Sequence, residues 1–202
     1  MPNFAIFYIF KIFLRIFQKK LAKFNTFKVI SKIKKAKKMS FIKNTTMEIS
    51  VTDMHTGGEP LRIITGGFPE IKGDTILQKR NFVKKYLDEY RTMLMFEPRG
   101  HFSMYGALLV EPDIPEADIG ALFLHNEGYS TMCGHAVIAL GRYIVDNKLV
   151  KDKSKIVENG KVLTNIQCPC GLVKAEVCVN DGVTGRLCFC CCLRRCYYLN
   201  II

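Results

Sequence analysis

The segment from His135 to about Asp146 constrains this chain more than any other. It carries Ala136, Val137, Ile138, Ala139, Leu140, Tyr143, Ile144 and Val145, so a helix over it is apolar on almost every side. A surface helix keeps one polar face; a helix apolar all round has to be enclosed by other elements. Strand-like segments accompany it. Ile49-Ser-Val51 and Leu61-Arg-Ile-Ile-Thr65 flank a Gly-rich turn, His55-Thr-Gly-Gly-Glu-Pro60. Ala107-Leu-Leu-Val110 and Ala121-Leu-Phe-Leu124 are joined by the acidic, Pro-rich turn Glu111 to Asp118, as a hairpin-like pair. Gly171 to Val179 alternates as a strand does. A second helix is expected after Asp74 as N-cap, with a stripe of Ile76, Leu77, Phe82, Val83, Tyr86, Leu87 and Tyr90. The fold class is therefore α+β.

Composition sharpens the domain limits. The net charge is +12, which would suit nucleic acid, but its placement does not. Residues 1–46 hold 12 Lys or Arg and no Asp or Glu, leaving 18 basic and 18 acidic residues in 47–202. The body thus lacks the electrostatic footprint of a phosphate-backbone binder. Three readings of the basic, Phe-rich extension 1–46 stand: an amphipathic helix on a membrane surface, an import presequence, or a non-native extension ahead of Met39 or Met47. Its longest uncharged run, Met1 to Phe10, is too short to span a bilayer. Five of the nine cysteines fall in the last fifteen residues. That is not a spaced disulfide framework, so a reducing, cytoplasmic compartment is expected, with mitochondrial import through the extension as the alternative. The Cys-rich stretch 186–202 reads as an aberrant tail, out of frame or unspliced, more readily than as a soft-metal site.

Cys133 precedes Gly134, His135 and the enclosed helix. A thiol there meets the unpaired N–H groups and positive dipole end of a helix, which favour the thiolate. The same N–H groups can hold a carboxylate. The alternative is a buried structural cysteine, and spacing alone leaves both open. His55, His101 and His125 also lie in or beside Gly-containing turns, as residues at the rim of a site do. Cys133-Gly-His135 and Cys168-Pro-Cys170 are too closely spaced for zinc, so no metal site is expected.

Residues from about Ile49 to Gly185 resemble the proline racemase family. The motifs are Asp53-Met-His-Thr-Gly-Gly-Glu-Pro60, Phe96-Glu-Pro-Arg-Gly-His101, Met104-Tyr-Gly-Ala107, His125-Asn-Glu-Gly-Tyr-Ser-Thr-Met-Cys-Gly-His-Ala136 and Cys168-Pro-Cys-Gly-Leu172. Within the family the match is nearest to the branch that dehydrates trans-3-hydroxy-L-proline. The resemblance implies a diaminopimelate epimerase-like lobe over 47–185, with strands wrapped around a central helix. It implies Cys133 as a catalytic acid/base residue, and Gly134 and His135 as substrate-binding residues. The implied substrate is hydroxyproline, without pyridoxal phosphate, metal or nicotinamide, in an enzyme that can be a homodimer at full length. It also implies a second lobe carrying the opposing acid/base group, Thr or Cys, and an aspartate for the substrate amine. No segment after Gly185 matches that lobe, so the chain is expected to be inactive by itself. The competing readings are a proline or 4-hydroxyproline racemase or epimerase, and a non-catalytic membrane-associated remnant.

Overall fold

The computed structural model describes residues 47–190 and 196–199, with side chains described to Gly185. The basic extension 1–46 and the side chains of the Cys188–Cys196 cluster lie outside the described residues. Nine strands form one sheet: β1 (Ser50–Thr56), β2 (Glu59–Gly66), β3 (Tyr105–Val110), β4 (Ile119–His125), β5 (Gly128–Ser130), β6 (Gly160–Cys168), β7 (Gly171–Asn180), β8 (Val183–Cys190) and β9 (Cys196–Leu199). Among the described residues three α-helices accompany them: α1 (Ile76–Tyr86), α2 (Asp88–Met95) and α3 (Gly134–Asp146). The strand order is β1-β2-β3-β4-β6-β7-β8-β9, with β5 folded back onto β4. The pairs β2–β3 and β4–β6 are parallel and the others antiparallel.

The enclosed helix is α3. Ala136 to Gly141, Ile144 and Val145 are all buried. They share one core with Leu61, Ala107, Ala121, Phe123, Val162, Ile166, Val173, Ala175 and Val177, drawn from strands β2 to β7. A second core lies on the opposite face of the sheet. There α1 and α2 bring Ile76, Val83, Leu94 and Met95 against Ile64, Leu108, Leu122 and Leu124. Side chains alternate across a strand, so β4 sends Ala121 and Phe123 to α3 and Leu122 and Leu124 to the outer helices. A strand covered on both faces reads as a continuous apolar run, which is why Ala121-Leu-Phe-Leu124 has no polar partner positions. The architecture is the α+β lobe, strands around a central helix, that the sequence leads one to expect.

Several local expectations need correction. β1 and β2 run further than the sequence suggested, pairing Thr56 with Glu59. The connection is only Gly57-Gly58, at φ +59° and +95°. A two-residue hairpin turn with both φ values positive suits glycine, which has no Cβ to clash. The helix after Asp74 is two helices, and its cap is Thr75. The Thr75 hydroxyl accepts from Gln78 N, and the Gln78 side chain accepts from Thr75 N, a reciprocal capping box. Asp113 from the acidic turn accepts the N–H of Ile76 at 2.7 Å. At Leu87 the chain turns (φ −128°, ψ 20°), and α2 starts afresh with Asp88 and Glu89 in its first turn, where negative charge suits the helix dipole. The single stripe therefore fails: Leu77 and Tyr86 are exposed. Strand β6 had no counterpart in the sequence reading. Among the described residues, no helix is long and apolar enough to cross a membrane.

Candidate active site

Cys133 is the N-cap of α3, in extended conformation (φ −143°, ψ 122°), with its carbonyl accepting the first helical bond from Val137 N at 3.0 Å. Three contacts fix this corner. The Cys170 N–H, in the β6–β7 turn, donates to the carbonyl of Thr131 at 3.2 Å. The Thr56 hydroxyl, at the tip of β1, donates to the carbonyl of His135 at 3.0 Å. β5 lays Ser130 opposite Phe123 of β4. The chain from β5 to α3 is thus held from the edge strand β1, from β4 and from the β6–β7 turn.

The thiol is nearly enclosed, 9% exposed, and its Sγ lies 3.1 Å from His135 Nδ1. Tyr105 of β3 stands over the same corner. Its ring stacks on His125, its cross-strand neighbour, at 5.6 Å and 19°, and meets His135 edge-on at 5.0 Å and 74°. Its hydroxyl is hydrogen-bonded to Ser130 Oγ. Cys133, Gly134 and His135 are therefore together, as expected, and His125 joins them through Tyr105. His55 lies exposed on β1. His101 sits in the loop ahead of β3, its Nδ1 accepting from Ser103 N and its carbonyl from Asn126 Nδ2. Neither hydrogen-bonds Cys133.

The electrostatics correct one expectation. Burial pushes the Cys133 thiol up from its ordinary value, and this outweighs the helix N-terminus. The N–H groups of Ala136 and His135 and the hydroxyl of Tyr105 pull it down, while the Glu59 carboxylate pushes it further up. The thiol makes no side-chain cap bond to α3, and the pull of these N–H groups loses to desolvation. Burial also lowers His135, against the opposing pull of Glu59 and the Pro60 carbonyl. In the resting corner, then, a neutral thiol faces a neutral imidazole. Burial raises Tyr105 well above the ordinary phenol range, so it remains a hydroxyl donor.

Sequence reasoning missed Tyr105 and Ser130 as site residues and Glu59 as a charge facing them. Tyr105 opens an apolar strand and reads as core; only the cross-strand register brings it to His125. Arg91 was missed for another reason. It lies 34 residues from the loop it holds. Its guanidinium is paired with Asp88 at 2.7 Å and 2.8 Å, and donates to the carbonyls of His125 and Asn126 at 2.9 Å and 2.7 Å. It also lies over the rings of Phe96 and Tyr129. Among the described residues no group of three or more His, Cys, Asp or Glu is placed to hold a metal.

Comparison with known proteins fits this geometry. Residues 51–190 match the family model described as proline racemase. A trans-L-3-hydroxyproline dehydratase of Saccoglossus kowalevskii is 60% identical over 136 residues, 67% of this chain and 40% of that protein. The human trans-3-hydroxy-L-proline dehydratase is 56% identical over 68% of this chain and 38% of its own length. One from Colwellia psychrerythraea is 45% identical over 72% and 39%. The chain thus spans about 40% of the length of the curated relatives it matches. Among solved structures, a hydroxyproline epimerase from Agrobacterium vitis with bound trans-4-hydroxy-L-proline superposes with TM-score 0.64 at 22% identity, covering 72% of this chain and 42% of that one. A probable proline racemase from Agrobacterium radiobacter with bound carbonate gives 0.63 at 24%, covering 70% and 41%; at such identities the likeness establishes the fold. The family match over most of the body, the close relatives and the shared fold agree that this chain belongs to the proline racemase family.

Proposed function

We propose that this chain is the Cys133-bearing lobe of a hydro-lyase that converts trans-3-hydroxy-L-proline to Δ1-pyrroline-2-carboxylate. The carrying observation is the thiol at the N-cap of α3, beside backbone N–H groups that can take a carboxylate. The names of the 45–60% identical relatives support the substrate. In the step, the Cys133 thiolate takes the α-proton, and the released electron pair forms the bond from Cα to C3. The C3–O bond breaks, and the hydroxyl leaves as water after gaining a proton from the acid group opposite. The enamine then takes a proton at C3 and gives up its N–H proton, becoming the cyclic imine. Gly134 and His135 bind the substrate beside the thiol. Because the thiol is pushed up by burial, its thiolate fraction, and hence the rate, rises with pH. A thiol base works only while reduced, which favours a reducing compartment such as the cytoplasm.

The test has two readouts on the expressed chain. Saturating trans-3-hydroxy-L-proline is expected to slow alkylation of Cys133 by iodoacetamide. Any water loss, trapped by borohydride as proline, is expected to fall about 10²–10⁴-fold in Cys133→Ser. Unprotected alkylation, or turnover unchanged by the substitution, overturns the assignment. Inversion of L-proline or 4-hydroxyproline in place of water loss would establish an epimerase instead.

A further inference from the structure

Thr56 ends β1, one step before the Gly57-Gly58 turn, and is 6% exposed. A hydroxyl buried at a hairpin tip has to find a partner, and this one donates to the carbonyl of His135 at 3.0 Å. That carbonyl is not otherwise orphaned. His135 is the second residue of α3, and a carbonyl there already accepts from the N–H four residues on. The Thr56 bond is therefore a second one, on the remaining lone pair. Its effect falls on the other end of the same peptide group, the N–H of Ala136. The first bond inside the helix runs from Val137 N to the Cys133 carbonyl, so the Ala136 N–H is an end donor that no helical carbonyl takes. The neutral thiol makes no side-chain cap bond either, which leaves this donor to a charged partner. A hydrogen bond accepted at the carbonyl polarises a peptide group and makes its N–H a stronger donor. It also fixes the plane in which that N–H points. We propose that Thr56 is a positioning residue that acts through the His135–Ala136 peptide, aiming and strengthening the Ala136 N–H toward anions at the start of α3. Those anions are the Cys133 thiolate at the N-cap and the substrate carboxylate beside it. The hairpin tip thereby tunes a helix end 79 residues along the chain.

The carboxylate half of the inference rests on the function proposed above; the thiolate half does not, and the two are read separately. The pH midpoint of Cys133 alkylation by iodoacetamide is measured by mass spectrometry on the whole chain, with Cys133→Ala locating the label. His135 of α3 lies on the sulfur, and Glu59 of β2 and Tyr105 of β3 also act on its ionisation; all three are kept in every variant. Thr56→Val nearly keeps the shape and removes the hydroxyl. Its midpoint is expected to rise by about 0.3–0.5 pH unit, the share of a charge-assisted hydrogen bond that such polarisation supplies. The concentration of trans-3-hydroxy-L-proline that half-protects the thiol is expected to rise by about two- to threefold for the same reason. Thr56→Ser keeps the hydroxyl and is expected to restore both. Thr56→Ala repeats the loss should the Val variant not fold. A purely structural tether would lower the urea midpoint of the hydroxyl-free variants and leave the alkylation midpoint of the folded chain unmoved. That result, or a Ser variant displaced as far as Val, overturns the assignment. A moved alkylation midpoint with unchanged protection overturns the carboxylate half alone. A moved midpoint in a chain that hydroxyproline does not protect at all sinks the functional reading and leaves the role of Thr56 at the thiolate standing.

Discussion

Arg91→Met tests the claim that an arginine on α2 holds the loop carrying His125. The side chain of Arg91 is 10% exposed and that of its partner Asp88 is 42% exposed. The ion pair itself is therefore half in water and worth at most about 1 kcal/mol. The carbonyls of His125 and Asn126 matter more, since both accept from the same Nη1. Hydrogen bonds to a charged donor contribute about 1.5–3 kcal/mol each; at the lower value, two give about 3 kcal/mol. Methionine keeps the apolar contact with Tyr129 and Phe96 but forfeits the cationic part, about 0.5 kcal/mol for each ring. The expected loss is about 4–5 kcal/mol, a large share of the 5–15 kcal/mol that is typical of a folded protein. Arg91→Lys retains a charge without the fork and should recover about half. Urea unfolding followed by circular dichroism measures both, from midpoint shifts at constant slope. A loss below about 1 kcal/mol for Met, or a Lys variant indistinguishable from the parent, would show that the guanidinium geometry does not matter here.

Three further predictions concern other links. Cys133 is raised by burial and His135 lowered by it. The first therefore contributes stability that is lost as pH rises past its ordinary value of about 8.5, and the second stability that is lost as pH falls below about 6.5. Unfolding free energy is expected to peak between those values; Cys133→Ala should flatten the alkaline limb and His135→Gln the acid limb. Ile138, fully buried on α3, should cost about 2–5 kcal/mol as Ile138→Ala in the same urea assay, and a cost below 1 kcal/mol would mean α3 is not enclosed. Thr75→Ala removes the α1 cap and is expected to cost about 1 kcal/mol, whereas Asp74→Ala, if Thr75 is the true cap, should cost only a few tenths.

The fold was legible where burial was extreme. β4 is covered on both faces and α3 over most of its surface, so few polar residues interrupt them, and the run of apolar residues announces itself. Strand β6 was hidden because Lys161, Asn165 and Gln167 break its run, although Val162, Thr164, Ile166 and Cys168 alternate inward. Thr164 disguises the pattern further: it is fully buried, its hydroxyl donating to the carbonyl of Ala175. The break between α1 and α2 was invisible to a helical stripe because Leu87 continues the apolar spacing while its backbone leaves the helix. The site was legible along the chain and not across it. Cys133, Gly134 and His135 are neighbours in sequence; Tyr105 and Thr56 reach them, and Arg91 reaches the His125 loop, only through strand register and helix docking, which no local pattern encodes. The direction of the Cys133 shift was misjudged for the same reason. A helix N-terminus can be read from sequence, but the depth of burial that outweighs it depends on strands from elsewhere.

The placement of β3, β4, β5 and α3 has a kinetic consequence. Tyr105, Ser130 and His135, which gather at this corner, come from one unbroken stretch, Tyr105 to Asp146, whose β3–β4 and β4–β5 pairings are antiparallel and short-range. The long crossings, β2 to β3 and β4 to β6, are parallel and close larger loops, and such closures are entropically slow. The corner around Cys133 is therefore expected to gain protection in pulse-labelled hydrogen exchange before the sheet is joined at Ile119 and Ile166. The thiol would then be set in place before it is enclosed, and would stay open to oxidants until the strands that bury it have paired.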